Sequence, residues 1–227
     1  MSQQPVEKQR EQWIAETAAA IAAVYAASKA DILSRVRLGH LYDALRQLWA
    51  DRLAAVMAEH GKSVAYAVGQ AAAEQYGDGS IDLGRMDQWL EDGAQARARG
   101  WQQGIEDRLR GARLSVADLE AEVNDLVAAA LSRAQAEIEA EDLVSASANF
   151  GDLEAAKAAG KTTKTWHHVP GEKSSRVDHQ EMDGETVGIN ERFSNRLRFP
   201  RSPGPPSEVA NCRCYLTYGG GDESEHP

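Results

Sequence analysis

Apolar residues recur at steps of three and four through most of the first 150 positions. Trp13, Ile14, Thr17, Ile21, Val24 and Tyr25 line one face of a helix over 1–30, with Glu11, Gln12 and Glu16 opposite. Ile32, Leu33, Val36, Leu41, Leu45, Leu48, Trp49, Leu53 and Met57 predict a second helix over 31–60. It is weakened at Gly39 and stopped at Gly61, since glycine takes the left-handed conformation without steric penalty. Ser63 is expected to cap a third helix reaching Tyr76, and Gly77-Asp78-Gly79-Ser80 then breaks the chain. A fourth stretch over 83–110 carries Met86, Trp89, Leu90, Trp101, Ile105 and Leu109. Its three glycines, Gly93, Gly100 and Gly104, predict a bend or an interruption. Ser115, with Asp118 three residues on, opens the most regular helix. Leu119, Val123, Leu126, Val127, Ala130, Leu131, Ala134 and Ile138 carry it to about Ser147, roughly 50 Å at 1.5 Å per residue. Asn149-Phe150-Gly151 is expected to end it, and a short helix over 152–159 closes at Gly160.

After Lys161 the helical period is lost and proline, glycine, arginine and aromatics replace alanine. Asp183-Gly184 signals a turn, flanked by Met182 and by Thr186, Val187 and Ile189. Leu197-Arg198-Phe199 and Cys212 to Tyr218 read as short strands, with a loop from Pro200 to Pro206 between them. No repeat of 20–50 residues is visible. The pattern predicts an α+β protein: a long, mainly α-helical N-terminal region followed by a small mixed C-terminal domain with short strands. Residues 1–112 form a helical region for docking a partner. Residues 113–160 form a long amphipathic helix and a short helix leading into the small α+β domain at 161–218, and 219–227 form a disordered acidic tail.

Composition narrows the class. At 227 residues the chain suits one large domain or two small ones, and its net charge of -10 argues against a nucleic-acid coat. Trp166 to Tyr218 is close to neutral, with Lys173 and six arginines against seven acids. The polar stretch Met1 to Arg10 lacks the apolar core of a signal peptide, and no run of ~18 apolar residues predicts a membrane span. Two cysteines one residue apart do not make a secreted disulfide framework, so a reducing cytoplasm is expected.

The chemistry-bearing residues are concentrated near the C-terminus. In a strand, Cys212 and Cys214 face the same side with Cα atoms ~6.6 Å apart, near the upper limit for a disulfide. Two such thiols can ligate zinc with His179 as third ligand and His168, His167 or Asp178 as fourth, which would help a domain too small for a large core. They can equally be small buried residues in a reducing compartment. Arg176-Val177-Asp178-His179 offers an Asp–His neighbour pair for acid–base work, or a hydrogen-bonded structural knot. No nucleophile elbow or metalloprotease helix accompanies it. Arg192, Arg196, Arg198, Arg201 and Arg213 around Phe193 and Phe199 suit phosphate contacts, a solvated surface or a protein interface. Trp13, Trp49, Trp89 and Trp101 read as core, and part of the helical stripe is expected to face a partner.

In order, these residues are Trp166, Arg176 to His179, Asp183-Gly184, Phe193, Phe199-Pro200 and Asn211-Cys212-Arg213-Cys214. The combination resembles the C-terminal signature of the phage Mu F-like minor head proteins, also called phage head morphogenesis proteins, over about 150–218. The N-terminal ~110 residues carry no matching motif. The resemblance implies a structural protein of a tailed phage or prophage. Such a protein is assembled in the host cytoplasm and placed in the virion head near the portal vertex, in several copies per particle. It implies the portal protein, the major capsid protein or both as partners, and packaged DNA as a further contact. It supplies no catalytic residue, so no enzyme is expected. The alternative is a metal- or thiol-dependent hydrolase or nuclease using His179, Cys212 and Cys214.

Overall fold

The computed structural model describes residues 4–36, 49–77, 81–111, 132–169, 177–209 and 212–220, with isolated positions between 121 and 129. The fold is α+β. Four long helices come first: α1 (Gln4–Val36), α2 (Asp51–Tyr76), α3 (Leu83–Gly111) and α4 (Arg133–Ala158). Strand β1 (Thr163–His167), short helix α5 (Val177–Glu181), strand β2 (Thr186–Gly188), the single turn α6 (Pro206–Val209) and strand β3 (Tyr215–Gly219) complete it.

Helix boundaries depart from the sequence reading wherever packing outweighs a local breaker. No break separates the first two expected helices at Asp31. Helix α1 runs through to Val36 because nothing between Ser28 and Val36 interrupts it. Gly61 does not stop α2, and Ser63 lies inside that helix rather than capping a new one. The stop is Gly77 at φ 91°, whose N–H reaches the Ala73 carbonyl. Helix α3 starts where Asp82 accepts the Arg85 N–H at 3.1 Å. It is uninterrupted through Gly93, Gly100 and Gly104, laced by bonds such as Gln103 to Asp107 and Arg110 to Glu106. Ser132 caps α4 by accepting the Gln135 N–H at 3.2 Å. The expected cap at Ser115 and the Gly39 interruption lie outside the described residues.

Asn149-Phe150-Gly151 does not end α4. Asn149 Nδ2 donates back to the Ser145 carbonyl at 3.0 Å and across to the Pro200 carbonyl at 3.2 Å, so its amide ties the helix to the 200 loop. The helix closes at Gly160, as expected, with φ 72°. Lys161 N bonds the Ala156 carbonyl and Gly160 N the Lys157 carbonyl, the paired bonds of a Schellman ending.

The chain divides into two compact units that interleave in sequence. One holds Met1–Gly61 and Gln88–Val144, the other Lys62–Asp87 and Ser145–Pro227. The first has a core of Ile21, Tyr25, Ile32, Trp49, Leu53, Met57, Ala98, Ile105, Ala140 and Leu143. Tyr25 and Trp49 meet there at 6.0 Å, and Thr17 pairs with His60 at 3.2 Å. Glu139 is buried in the same unit, and that burial raises its pKa to about 7.

In the second unit α2 and α4 meet through small residues. A Cβ on Gly151 would sit 2.2 Å from the Ala65 carbonyl oxygen, and one on Gly69 would sit 3.2 Å from the Gly151 oxygen. Ala72, Ala73 and Ala155 extend the contact. Tyr76 donates to Asp152 at 2.9 Å and packs edge-on to Tyr218 at 6.0 Å. The sheet of this unit is antiparallel, in the order β2-β1-β3. Lys164 pairs with Val187 on one side and Tyr218 on the other, and Trp166 pairs with Leu216. Two strand expectations are corrected. Residues 197–199 are irregular and bent, not a strand, between Arg196 and Arg201, which both take positive φ. The last strand begins at Tyr215, so Cys212 and Cys214 precede it. Gly219, placed in the tail by sequence, pairs with Thr163. The acidic residues of that tail lie outside the described residues.

Candidate metal centre

Strand β1 organises the region. Alternation buries Lys164 and Trp166 on one face. The indole of Trp166 is fully buried and meets Phe193 edge-on at 5.1 Å and His179 edge-on at 5.3 Å. Lys164 reaches over the Phe193 ring at 5.2 Å and donates to the Arg198 carbonyl at 2.7 Å. Burial lowers its pKa to about 8.

The Asp183-Gly184 turn fastens β1 to the next segment. Gly184 takes φ 85°, where a side chain is strained, and its N–H reaches the Trp166 carbonyl at 2.9 Å. Asp183 Oδ1 accepts the His168 N–H at 2.9 Å. This holds the residue after β1 in place. Just upstream, Asp178 accepts the N–H of His179 at 3.0 Å at the start of α5. His179 is carried inward from that helix and is 2% exposed.

Two sulfurs converge on it. His179 Nδ1 lies 3.6 Å from Cys212 Sγ and 3.6 Å from Cys214 Sγ. The three ligand atoms fall within 4.8 Å of one another, and all three residues are buried. No disulfide joins the cysteines. The hydrogen bond from Cys214 lowers the Cys212 pKa despite burial, with His179 adding to the effect; the same bond, with burial, raises that of Cys214. Two sulfurs and an imidazole at these distances form either a mutual hydrogen-bond cluster or the donor set of a thiophilic cation.

Neighbouring groups hold the cluster. Arg201, fully buried with φ 64°, donates its Nε to the Cys212 carbonyl. Glu208, from α6, places Oε2 3.4 Å from His179 Nε2. His168 approaches from the other side, with Nδ1 3.9 Å from Cys214 Sγ. His167 is turned away: it stacks on Tyr215 at 5.0 Å and shares a 2.7 Å hydrogen bond with Thr217.

Of the residues singled out from sequence, Trp166, His179, Phe193, Cys212 and Cys214 come together in this core. Asp178, Asp183 and Gly184 set its turns, while Pro200 is buried and receives the Asn149 amide. Arg213 is exposed between the two buried cysteines. Arg176 and Asn211 lie outside the described residues. Sequence reasoning missed Glu208 and the burial of Lys164 and Arg201. The only signal for Glu208 was the prolines at 205 and 206, which can open a helical turn. No protein-family model, curated protein or solved structure matches this chain.

Proposed function

We propose that the chain is a non-enzymatic minor head protein of a tailed phage or prophage, associated with the portal vertex and required for assembly of infectious particles. The observation that carries this reading is where the residues of the resemblance go. Trp166, His179, Asp183-Gly184, Phe193 and the cysteine pair are spread over about fifty positions, yet they form one connected cluster: His179 and Phe193 meet the Trp166 indole, the Asp183-Gly184 turn bonds the backbone at Trp166 and His168, and both cysteines meet His179. A signature made of packing and turn residues fits a module whose role is to hold a shape. A hydrolase would need its thiol or imidazole accessible, whereas His179, Cys212 and Cys214 are 2%, 4% and 7% exposed. Portal protein and major capsid protein are the proposed partners, and packaged DNA a further contact. No helix among the described residues is long and apolar enough to cross a membrane.

Expression with the portal protein of the same phage or prophage tests the reading. The two should co-purify, and particles made without this chain should be non-infectious. Absence from purified virions together with no binding to portal or capsid protein would overturn it. Hydrolysis of DNA or esters that is lost in Cys212→Ser would favour the enzyme instead.

A further inference from the structure

We propose that His168, His179, Cys212 and Cys214 form a structural zinc site, with Glu208 fixing the tautomer of His179. The first argument is distance. Tetrahedral zinc binds thiolate sulfur at about 2.3 Å and imidazole nitrogen at about 2.0 Å, which sets the nitrogen–sulfur edge at about 3.5 Å. Both His179 Nδ1–Sγ separations are 3.6 Å. The equality matters as much as the value. A ring nitrogen carries one proton or one lone pair, so it cannot make two full hydrogen bonds at once, but it sits equidistant from two sulfurs that share an ion with it.

The second argument is the far side of the ring. Glu208 Oε2 stands 3.4 Å from His179 Nε2; the two buried atoms make no hydrogen bond as placed, and a slight closure would let the carboxylate accept from Nε2–H. With the proton on Nε2, the Nδ1 lone pair faces the sulfurs. That closure would complete the carboxylate–histidine arrangement that orients a metal ligand, with Glu208 outside the ion's own ligand set.

Of the candidates for a fourth ligand, His168 is the one that approaches a cysteine, although it stands outside the three-residue cluster. His167 is stacked and hydrogen-bonded outside the cluster. Asp178 is exposed and gathers with Glu208 around His179 rather than with the cysteines. His168 has its Nδ1 3.9 Å from Cys214 Sγ, and its Nε2 has no hydrogen-bond partner among the described residues. Its backbone is held by Asp183, and its ring stands outside the three-residue cluster, so joining the ion requires a side-chain rotation. Two thiolates and two imidazoles in a buried tetrahedral site select zinc over hard cations. On binding, both sulfurs coordinate as thiolates and release any protons they carry to solvent.

The full-length chain, purified under reducing conditions, should carry one zinc per chain by elemental analysis. Cobalt(II) in its place should show tetrahedral d–d bands and thiolate-to-cobalt charge transfer. Cys212→Ser with Cys214→Ser should abolish binding. Glu208→Gln, which keeps both cysteines and both histidines, should keep the stoichiometry and weaken affinity about 10–100-fold. His168→Ala should weaken affinity and alter the cobalt spectrum. A wild-type chain that is folded and reduced, yet retains only a small fraction of an equivalent after incubation with zinc and dialysis, overturns the site. An octahedral cobalt spectrum without charge transfer does so too, independently of whether any variant folds. Unchanged affinity and spectrum in His168→Ala would overturn the fourth-ligand assignment. None of these readouts depends on portal binding.

Discussion

Gly151→Ala should destabilise the protein even though alanine is the better helix former. In α4 the substitution gains about 0.5–1 kcal/mol of backbone entropy and propensity. The new Cβ would stand 2.2 Å from the Ala65 oxygen, with the Ala65 carbonyl carbon at 3.0 Å and Cα at 3.1 Å. All three are helix backbone atoms, so no side-chain rotation relieves the clash. Restoring ordinary contact requires α2 and α4 to part by about 1 Å or more, which loosens the interdigitated stripe of Ala72, Ala73 and Ala155 as well. Overpacking of this kind costs typically 1–3 kcal/mol, so the net effect is a loss of about 1–2 kcal/mol. At about 2–4 °C per kcal/mol for a chain of this size, the loss reads as a drop of several degrees in Tm. Gly100→Ala is the control: a Cβ there meets nothing within 4 Å, and the substitution should stabilise by about 0.5–1 kcal/mol. Urea denaturation of the two variants beside wild type decides the matter. A Gly151→Ala protein as stable as the Gly100→Ala control would refute the close helix crossing.

Two further predictions concern one buried and one half-buried carboxylate. Burial raises Glu139 to about 7 from an ordinary 4.5, so the folded state holds its proton longer than the unfolded state does. Its contribution to stability therefore falls as pH rises from about 4.5 to 7, by a few kcal/mol at most. Glu139→Gln should flatten that slope and gain stability at pH 8 over wild type, measured by denaturant midpoints at pH 5 and 8; an unchanged slope would count against the burial. Tyr76→Phe removes the hydroxyl that bonds Asp152, a group that burial raises to about 6. The loss should be about 1–2 kcal/mol at pH 7, where the carboxylate is charged, and smaller at pH 4, where it is protonated. Equal losses at both values would refute the charge-dependent bond.

The helical period, the endings at Gly77 and Gly160 and the Asp183-Gly184 turn could all be read from local residues. Their causes are local: side-chain periodicity and backbone handedness. Gly61 and Gly151 misled because a glycine that ends a helix and one that sits within it look alike in sequence. At Gly151 only the approach of Ala65, more than eighty positions away, distinguishes them. Strand β1 was hidden because Thr-Lys-Thr-Trp-His places a lysine on its buried face, which is tolerable only with the Arg198 carbonyl and the Phe193 ring waiting for it. Glu208 was hidden for a similar reason: its partner, His179, is 29 positions upstream.

The interleaving of the two units has a consequence for synthesis. Lys62–Asp87 belongs with Ser145–Pro227, so 57 residues of the other unit emerge from the ribosome between the two pieces. At about 5–20 residues per second the gap lasts on the order of 3–10 s. Throughout it, the alanine and glycine face of α2 has no α4 to close against. That face carries few large apolar groups, Ala65, Gly69, Ala72 and Ala73 being its close-packed positions. A contact made of small residues therefore leaves little sticky surface open while the nascent chain waits for its second half.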